Sequence, residues 1–568
     1  MGQDNFAAVA RLEIDGRPLP AELERLLEEV VVDDHLQLPD MFVCSFRDPN
    51  RTVFAQAGVQ IGSTITISAT WMRTGTETLL LRGEITGLEA IYDLVGAHAV
   101  VRGYDPSHRL HRGRRTETYH NVKDSDVAQT VARRAGLSIG TIDDSANVLD
   151  HVPQANVSDW DFLQARAEGI GFELSVRDGR FNFGRQNGSP AQPRELVFGQ
   201  TLLEFRPRIT SAEQVAQVQV RVWDPAEKRV LLGSAQAAAS SASLSANPAV
   251  LAAKFGAPTY VVADRPLSRQ PELESAAGAV AEQIGSAFAE AEGVARGDPN
   301  LKAGAAALVS GVASAFVGRY TLTHSRHVFN DDGYRTHFEV SGSQDRTLLG
   351  LTAIGRNERQ TSGSTPISGV VIAQVTNNDD PDELGRLKVK LPWLSDSYES
   401  DWVRLLQPGA GPNSGIYWVP EVNDEVLVAF EFGDIRRPFV IGGLWNGKDR
   451  APFGHDVFDS GKVKERGFRS RRGHVISFTD DEGSAAVTLV TSDGSIRVSL
   501  DEASKDLKLD CTSQATIHIT TQGGDLTIES GGNVTISAAG QLELKGQAGV
   551  SVESSGEVEV KGAVIKLN

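Results

Sequence analysis

The chain has 568 residues, 40% hydrophobic and 23% charged, which excludes disorder throughout and, at roughly 150 residues per domain, provides for three or four packed units. Asp and Glu outnumber Lys and Arg by 74 to 56, and the net charge of −18 excludes the broad basic footprint that phosphate backbones require. Cys44 and Cys511 are too few and too far apart for a disulfide framework or a thiolate metal site, no run of about 18 apolar residues offers a membrane-spanning helix, and the first residues (Met-Gly-Gln-Asp-Asn-Phe) lack the pattern of a Sec-type signal.

Residues 1 to about 200 alternate between strand and helix patterns. Ile61 to Ser68 has period-2 alternation through Ile61, Ile65 and Ile67 and predicts a half-buried strand. A helix is expected after Asp124 or Ser125, with Val127 and Val131 on one face and Gly136 at its end. A second is expected from Ser158, with Asp161 three residues on as in a capping box, to Gly169. Phe172–Val176 and Arg180–Phe183 around Asp178-Gly179 read as a hairpin.

The stretch from about 234 to 255, rich in Ala and Ser, predicts a flexible surface connection, and Glu272 to Glu292 a helix weakened by its glycines. Gly297-Asp298-Pro299 breaks the pattern, and strands return at Tyr320–His324 and Arg335–Val340. After a small polar linker, Gln360 to Pro366, five short strands are expected: Gly369–Thr376, Arg386–Leu391, Trp402–Leu406, Glu425–Phe430 and Phe439–Leu444. Five strands in about 85 residues suit a small closed barrel of the oligonucleotide/oligosaccharide-binding (OB) type.

The last 50 residues repeat with a period of eight. Leu526, Val534, Leu542, Val550 and Val558 form one series, and Ile528, Ile536, Leu544, Val552 and Val560 another. Thr527, Thr535, Glu543, Ser551 and Glu559 fall between them, on the other side of each strand, and Gly532, Gly540, Gly549 and Gly556 supply bends. Weaker units precede, at Val487/Leu489, Ile496/Val498, Leu507/Leu509 and Ile517/Ile519. Two apolar side chains per unit make a stripe too narrow to bury itself. Either one chain coils into a parallel β-helix, or three chains wind around a common axis. The second leaves fewer unpaired edges and is the preferred reading.

Chemistry-bearing patterns are weak. Gly442 to Lys448 matches the phosphate-loop spacing, but Asp449 stands where Ser or Thr would bind magnesium, and no helix pattern follows. Gly409 to Gly415 is interrupted by Pro412 and lacks a βαβ setting. His108/His111 and His324/His327 have no evident third ligand and read as structural. The basic stretch Lys462 to Arg472 reads as a collar, and Trp393, Trp402, Trp418 and Trp445 as core or interface packing rather than base-stacking platforms. No catalytic, cofactor-binding or metal-binding residue is assigned, and no cofactor is expected.

Leu384 to Trp393, Trp402-Val-Arg404, Gln407 to Gly411, Val419 to Phe430, and Arg437-Pro438 followed by Ile441 to Gly447 together resemble the barrel of VgrG-type and phage tail-spike proteins of contractile injection systems. Asn121 to Asp126, Ser158 to Leu163 and Glu168 to Phe172 resemble that family's hub. Asn423 departs from the usual glycine before Asp424. The resemblance implies an α+β hub over 1–359, phage late control D-like with two barrel-like subdomains and an Ala/Ser/Gly-rich insertion around 234–318. The rest is then β-rich: an OB-type five-stranded barrel over 360–450, a collar over 451–482, and a trimeric intertwined β-helix needle over 483–568. Gly385, Trp393, Trp402, Pro420 and Gly442 are then structural barrel positions, and the ten repeat positions the needle core.

The implied role is mechanical. A homotrimer at the centre of a baseplate joins the inner tube to a membrane-puncturing needle and helps deliver cargo. The implied partners are further copies of the chain, the inner tube protein, baseplate proteins, a PAAR-type tip protein on the needle and, transiently, a target membrane, with no stable nucleic acid. Assembly is expected in the cytoplasm, and the insertion resembles spikes of extracellular, phage-tail-like particles more than type VI spikes. No effector domain is expected after the needle. The alternatives are a spike-borne cell-wall hydrolase and an OB-fold nucleic-acid-binding protein.

Overall fold

The computed structural model describes residues 8–341, except 73, 95, 186–191, 225–226, 264–266 and 268, and residues 367–566, except 513. The expected linker at 360–366, and with it the 359/360 boundary, lies outside the described residues. The chain divides into two compact units, residues 1–448 and 449–568.

Among the described residues of the first unit, a sheet of eleven strands provides the framework. Its spatial order is Leu202–Ile209, Ala289–Arg296, Gly333–Val340, His324–Asn330, Leu27–His35, Met41–Arg47, Ala97–Tyr104, Glu77–Tyr92, Thr64–Trp71, Ala8–Ile14 and Arg17–Pro18. Alternating residues such as Leu12, Ile14, Val30, Val32, Phe42, Phe46, Ile65 and Ile67 bury one face. The strand expected from Ile61 instead begins at Thr64, and Ile61 is exposed in the turn before it.

A second layer holds the helices Asp124–Arg134 and Asp159–Ile170 and the hairpin Phe172–Arg177/Arg180–Arg185. Val127, Val131, Phe162, Leu163, Phe181 and Phe183 close its core. The Ser158 hydroxyl accepts the Asp161 N–H at 3.1 Å, as the capping spacing predicts. The C-cap is Gly171 rather than Gly169, because Gly171 takes the left-handed conformation (φ +69°) while Gly169 continues the helix.

The Ala/Ser-rich stretch is not a flexible connection. It contains the end of the strand Arg229–Gln236, the short strand Ala242–Ser243 and the helix Pro248–Ala253, with Ala237, Ala242 and Ala252 buried. Small side chains here permit close packing. Gln217–Asp224 pairs with Arg229–Gln236 on one side and Thr259–Val262 on the other, under the helix Gln270–Ser286. The helix expected to reach Glu292 stops at Ser286, and Ala289–Arg296 is a strand of the large sheet. Ala289, Ala291, Gly293 and Ala295 are buried in alternation, so a period of two outweighs the helix preference of Ala and Glu.

Residues 367–448 form the expected strands within one or two residues, except that the second and third are shortened: Val370–Asn377, Lys388–Lys390, Arg404–Leu405, Glu425–Phe430 and Pro438–Gly443. In the sheet, Lys388–Lys390 and Arg404–Leu405 are the outer strands. Just before each, Leu387 and Val403 exchange both backbone hydrogen bonds, at 2.9 and 2.6 Å. Ala373, Val375, Leu387, Val389, Leu391, Val426, Val428 and Val440 fill the interior.

In the second unit, Glu465–Arg469, Val475–Thr479, Ala486–Val490, Ile496–Asp501 and Asp506–Cys511 form an antiparallel meander. Three of the weaker repeat units lie in this sheet, which crosses the expected 482/483 boundary. From Gln514 to Lys566 the described chain is extended and forms no strand ladder within itself. It bends at 531–532, 539–540, 547–548, 555–556 and 563, in step with the eight-residue repeat.

Candidate assembly surfaces

Behind the OB region's family-like motif stands an ion pair. Gly385 adopts φ +68°, turning the chain so that Arg386 reaches back to Asp380. The Asp380 carboxylate accepts Arg386 Nε and Nη2 at 2.9 and 2.6 Å, and the N–H groups of Asp382, Leu384 and Arg386 at 3.1 to 3.2 Å. The Arg386 guanidinium holds this carboxyl well below the usual carboxylate range. Asp380→Ala is expected to cost about 1.5–3 kcal/mol, seen as selective loss of hydrogen-exchange protection in 370–405. Arg386 and Lys388 lie over the Trp402 ring at 5.8 and 5.3 Å from its centroid. Pro420 O accepts Asn378 Nδ2 at 3.0 Å, and Gly442 lies in the strand Pro438–Gly443, opposite Leu427.

The tryptophans expected in core or interface are not in the core of the single chain. Trp393, Trp418 and Trp445 are 51, 53 and 70% exposed, and Trp402 is half-buried. The interior is filled by smaller aliphatic side chains, leaving the rings on the surface.

The two hub motifs meet in space. Asp124 begins one helix and Arg166 lies on the other; both are buried and joined by two hydrogen bonds of 2.6 and 2.9 Å. Arg134 bridges Glu117 and Asp159, the latter at 2.7 Å. Arg166 and Asp124 also line a cleft of about 580 Å³ that reaches Trp223 of the strand Gln217–Asp224 and Trp402 and Phe432 of the OB region.

Neither histidine pair forms a ligand set. His108 Nε2 bonds Glu84 at 2.7 Å, while His111 stacks on Trp160. His324 sits between Asp33 (2.9 Å) and Glu339 (3.4 Å), and these carboxylates push its pKa up to about 9 against the effect of burial. His327, three residues on along a strand, points to the opposite face. It is buried against Tyr334 Oη at 2.8 Å, and burial pushes it down to about 3. Among the described residues no group of three His, Cys, Asp or Glu could hold a metal ion.

The second unit exposes two apolar faces. On one side of the meander, Phe468, Ile476, Leu489, Val498 and Leu509 align across the strands, beside Phe478, Val487, Leu500 and Leu507. Seven of these nine are exposed, including Phe468, Phe478 and Leu507. On the extended segment Leu526, Ile528, Val534, Ile536, Leu542, Leu544, Val550, Val552, Val558 and Val560 are 53 to 71% exposed. No backbone–backbone hydrogen bond forms within the chain from Gln514 to Lys566 among the described residues.

Comparison with known proteins adds to this geometry. Residues 371–445 match the family described as the type VI secretion system/phage-baseplate injector OB domain, and residues 53–331 match the Alg8 N-terminal domain. The type VI secretion system spike protein VgrG2a of Pseudomonas aeruginosa is 28% identical over 120 residues, 20% of this chain and 14% of that protein. VgrG3 of Vibrio cholerae is 32% identical over 113 residues, 19% of this chain and 11% of that protein. The matches thus span only about a seventh of these relatives or less. A Francisella PdpA–VgrG complex structure aligns over 90% of this chain and 81% of its own, with a TM-score of 0.51 and 10% identity, a likeness of fold. An E. coli component of the type VI secretion system aligns over 76% of this chain and 99% of its own, with a TM-score of 0.48 and 16% identity.

An injector-type OB domain, as the match over 371–445 defines it, follows a large β-rich sheet in this chain. The matched segments are similar to those of VgrG spike proteins, 28 to 33% identical over 92 to 120 residues.

Proposed function

We propose that the chain is the structural hub and spike of a contractile injection system, a homotrimer at the baseplate centre that joins the inner tube to a membrane-puncturing needle and helps deliver cargo. The observation that carries this reading is the segment 514–566, whose extended backbone forms no internal ladder and whose ten repeat side chains lie open. Backbone N–H and C=O groups and apolar side chains in this state both require partners. Three copies wound around one axis supply both at once, each strand pairing with its neighbours while the apolar series turns inward.

The shaft then has two parts. Over 465–511 each chain pairs its own strands and lays an apolar face toward the axis; beyond 514 pairing passes between chains. The Leu387–Val403 bonds support closure of the OB strands into a five-stranded barrel. Exposed Trp393, Trp418 and Trp445 fit contacts with neighbouring copies. The role is mechanical and needs no covalent step or cofactor from this chain. The domain plan follows as hub to 359, barrel to 450, collar to 482 and needle to 568, with the meander 465–511 shared by the end of the collar and the start of the needle, in a phage-tail-like particle assembled in the cytoplasm and released from the cell. The inner tube and baseplate proteins, a PAAR-type tip protein and, briefly, a target membrane are its partners.

Native mass measurement on the purified chain tests the reading, with three times the chain mass expected. A monomer at micromolar concentration would overturn it.

A further inference from the structure

Three carboxyls, two flanking the connection between the strands Leu27–His35 and Met41–Arg47 and one following Ala97–Tyr104, meet at the seam between the large sheet and the helical layer. Asp34 lies near the end of the strand Leu27–His35, Asp40 just before Met41–Arg47, and Asp105 just after Ala97–Tyr104. The Asp105 N–H donates to Asp40 O at 2.9 Å, and Asp40 Oδ1 accepts the His35 N–H at 3.1 Å. Asp105 Oδ1 accepts the Ser107 N–H at 2.8 Å, and Asp34 Oδ2 accepts the Ala303 N–H at 3.0 Å. The Asp34 carboxyl interacts with Asp40, and the two charges oppose each other's ionisation. Asp105 is buried and the other two are half-buried.

The cluster sits beneath the loop 297–305, which is held on several sides. Ala303 rests on Asp34, Asp298 N–H donates to Thr336 Oγ1 at 3.1 Å, and Ser325 Oγ donates to Leu301 O. Lys302 Nζ pairs with Asp178 of the hairpin Phe172–Arg177/Arg180–Arg185 at 3.1 Å, and the Arg177 guanidinium packs against Gly304. Fully ionised, the seam would carry four carboxylates, Asp178 included, against Lys302 and Arg177.

We propose that this cluster is a proton-held seam: protons shared among Asp34, Asp40 and Asp105 lock the loop 297–305 and the hairpin 172–185 to the large sheet, and their loss as pH rises loosens that joint. Desolvation raises all three carboxyls, Asp105 to about 7, and their mutual repulsion raises Asp40 and Asp105 further. A group whose folded-state pKa is raised contributes stability that is fully present below its ordinary value and lost as pH climbs through the raised one. The seam is therefore tight in acid and loosened above neutrality.

The surrounding groups set the window. His324, between Asp33 and Glu339, stays protonated to about 9, and Glu84, beside His108 and Arg109, is held below its ordinary value and stays ionised. His327, beneath Leu301 through Ser325, acts with the opposite sign, because opening the loop lets it take a proton below about 6.5. Above that pH the carboxyls carry the dependence of the loop, since His324 keeps Asp33 and Glu339, both on strands of the large sheet, when the loop opens.

Hydrogen exchange on the full chain, expressed as protection factors at pH 6.5, 7.25 and 8.0, tests this. Protection in 298–305 and 172–185 is expected to fall by roughly three- to tenfold across the range, while the strand Val370–Asn377 stays level. Asp40→Asn and Asp105→Asn are each expected to reduce the fall to less than half. Level protection of the seam in the unsubstituted chain would overturn the proposal, as would an undiminished fall in whichever Asn variants fold.

Discussion

Replacing Ile536 with Asp is expected to abolish assembly of the C-terminal shaft while leaving residues 8–448 folded. In the trimer the substitution sets three carboxylates around one axis, in a position that otherwise buries three isoleucines. Each lost side chain removes about 1.5–3 kcal/mol of apolar burial. Each carboxylate that stays ionised adds a desolvation cost of several kcal/mol, with no cation among the apolar series to offset it. Together these exceed the stability of most domains, about 5–15 kcal/mol. The hub is untouched because its cores are built from other residues, from Leu12 to Val340. Thr535→Asp provides the control, since Thr535 falls between the two apolar series and faces away from the axis in the proposed trimer. The measurement is native mass, with resistance of the trimer to heating in detergent as a second readout. A heat-resistant trimer carrying Ile536→Asp would sink the intertwined reading, and equal loss in both variants would show that charge alone, rather than burial at the axis, is decisive.

The features most legible in the sequence are those governed by local periodicity. The OB strands follow from alternations such as Val426/Val428 and from turn residues at fixed offsets, and the two hub helices from caps that the structure reproduces at Ser158 and Gly136. The eight-residue series is legible because each unit repeats the same bend, and the structure bends at the same interval. Reading failed where composition and period disagreed. Ala289–Arg296 has helix-forming residues but the alternation of a strand that must fit between two neighbours. The stretch around Ala237 to Ala252 reads as linker because small residues mark both loops and close packing.

Sites built by tertiary contact were not legible. Asp105 stands more than sixty residues from Asp34 and Asp40, and Asp124 and Arg166 stand 42 residues apart. The only sequence signal for either was the presence of acidic residues at strand ends and helix starts, common enough to carry no inference. The tryptophans show a related limit. Aromatic content marks a packed surface without saying whether the surface lies inside one chain or between several.

The Asp124–Arg166 pair has the largest expected effect within the hub. Asp124 opens the helix Asp124–Arg134, where its charge is favoured by the helix N-terminus, and its two oxygens accept both bonds from Arg166. Asp124→Ala strands a guanidinium that is buried between the two helices, so the expected loss is about 3–5 kcal/mol. Arg166→Met leaves a carboxylate that the helix terminus still favours, and its loss should be smaller. The double variant Asp124→Leu, Arg166→Met removes both charges and is expected to recover much of the stability, because the pair's own net contribution is small once both desolvation costs are removed. Urea titration of the full chain, followed by Trp160 fluorescence at the helical layer, reads all three variants; Trp160 is buried in the core that the two helices share. A double variant no better than Asp124→Ala would mean that the pair positions the helices through its bond geometry, rather than serving only to neutralise two buried charges.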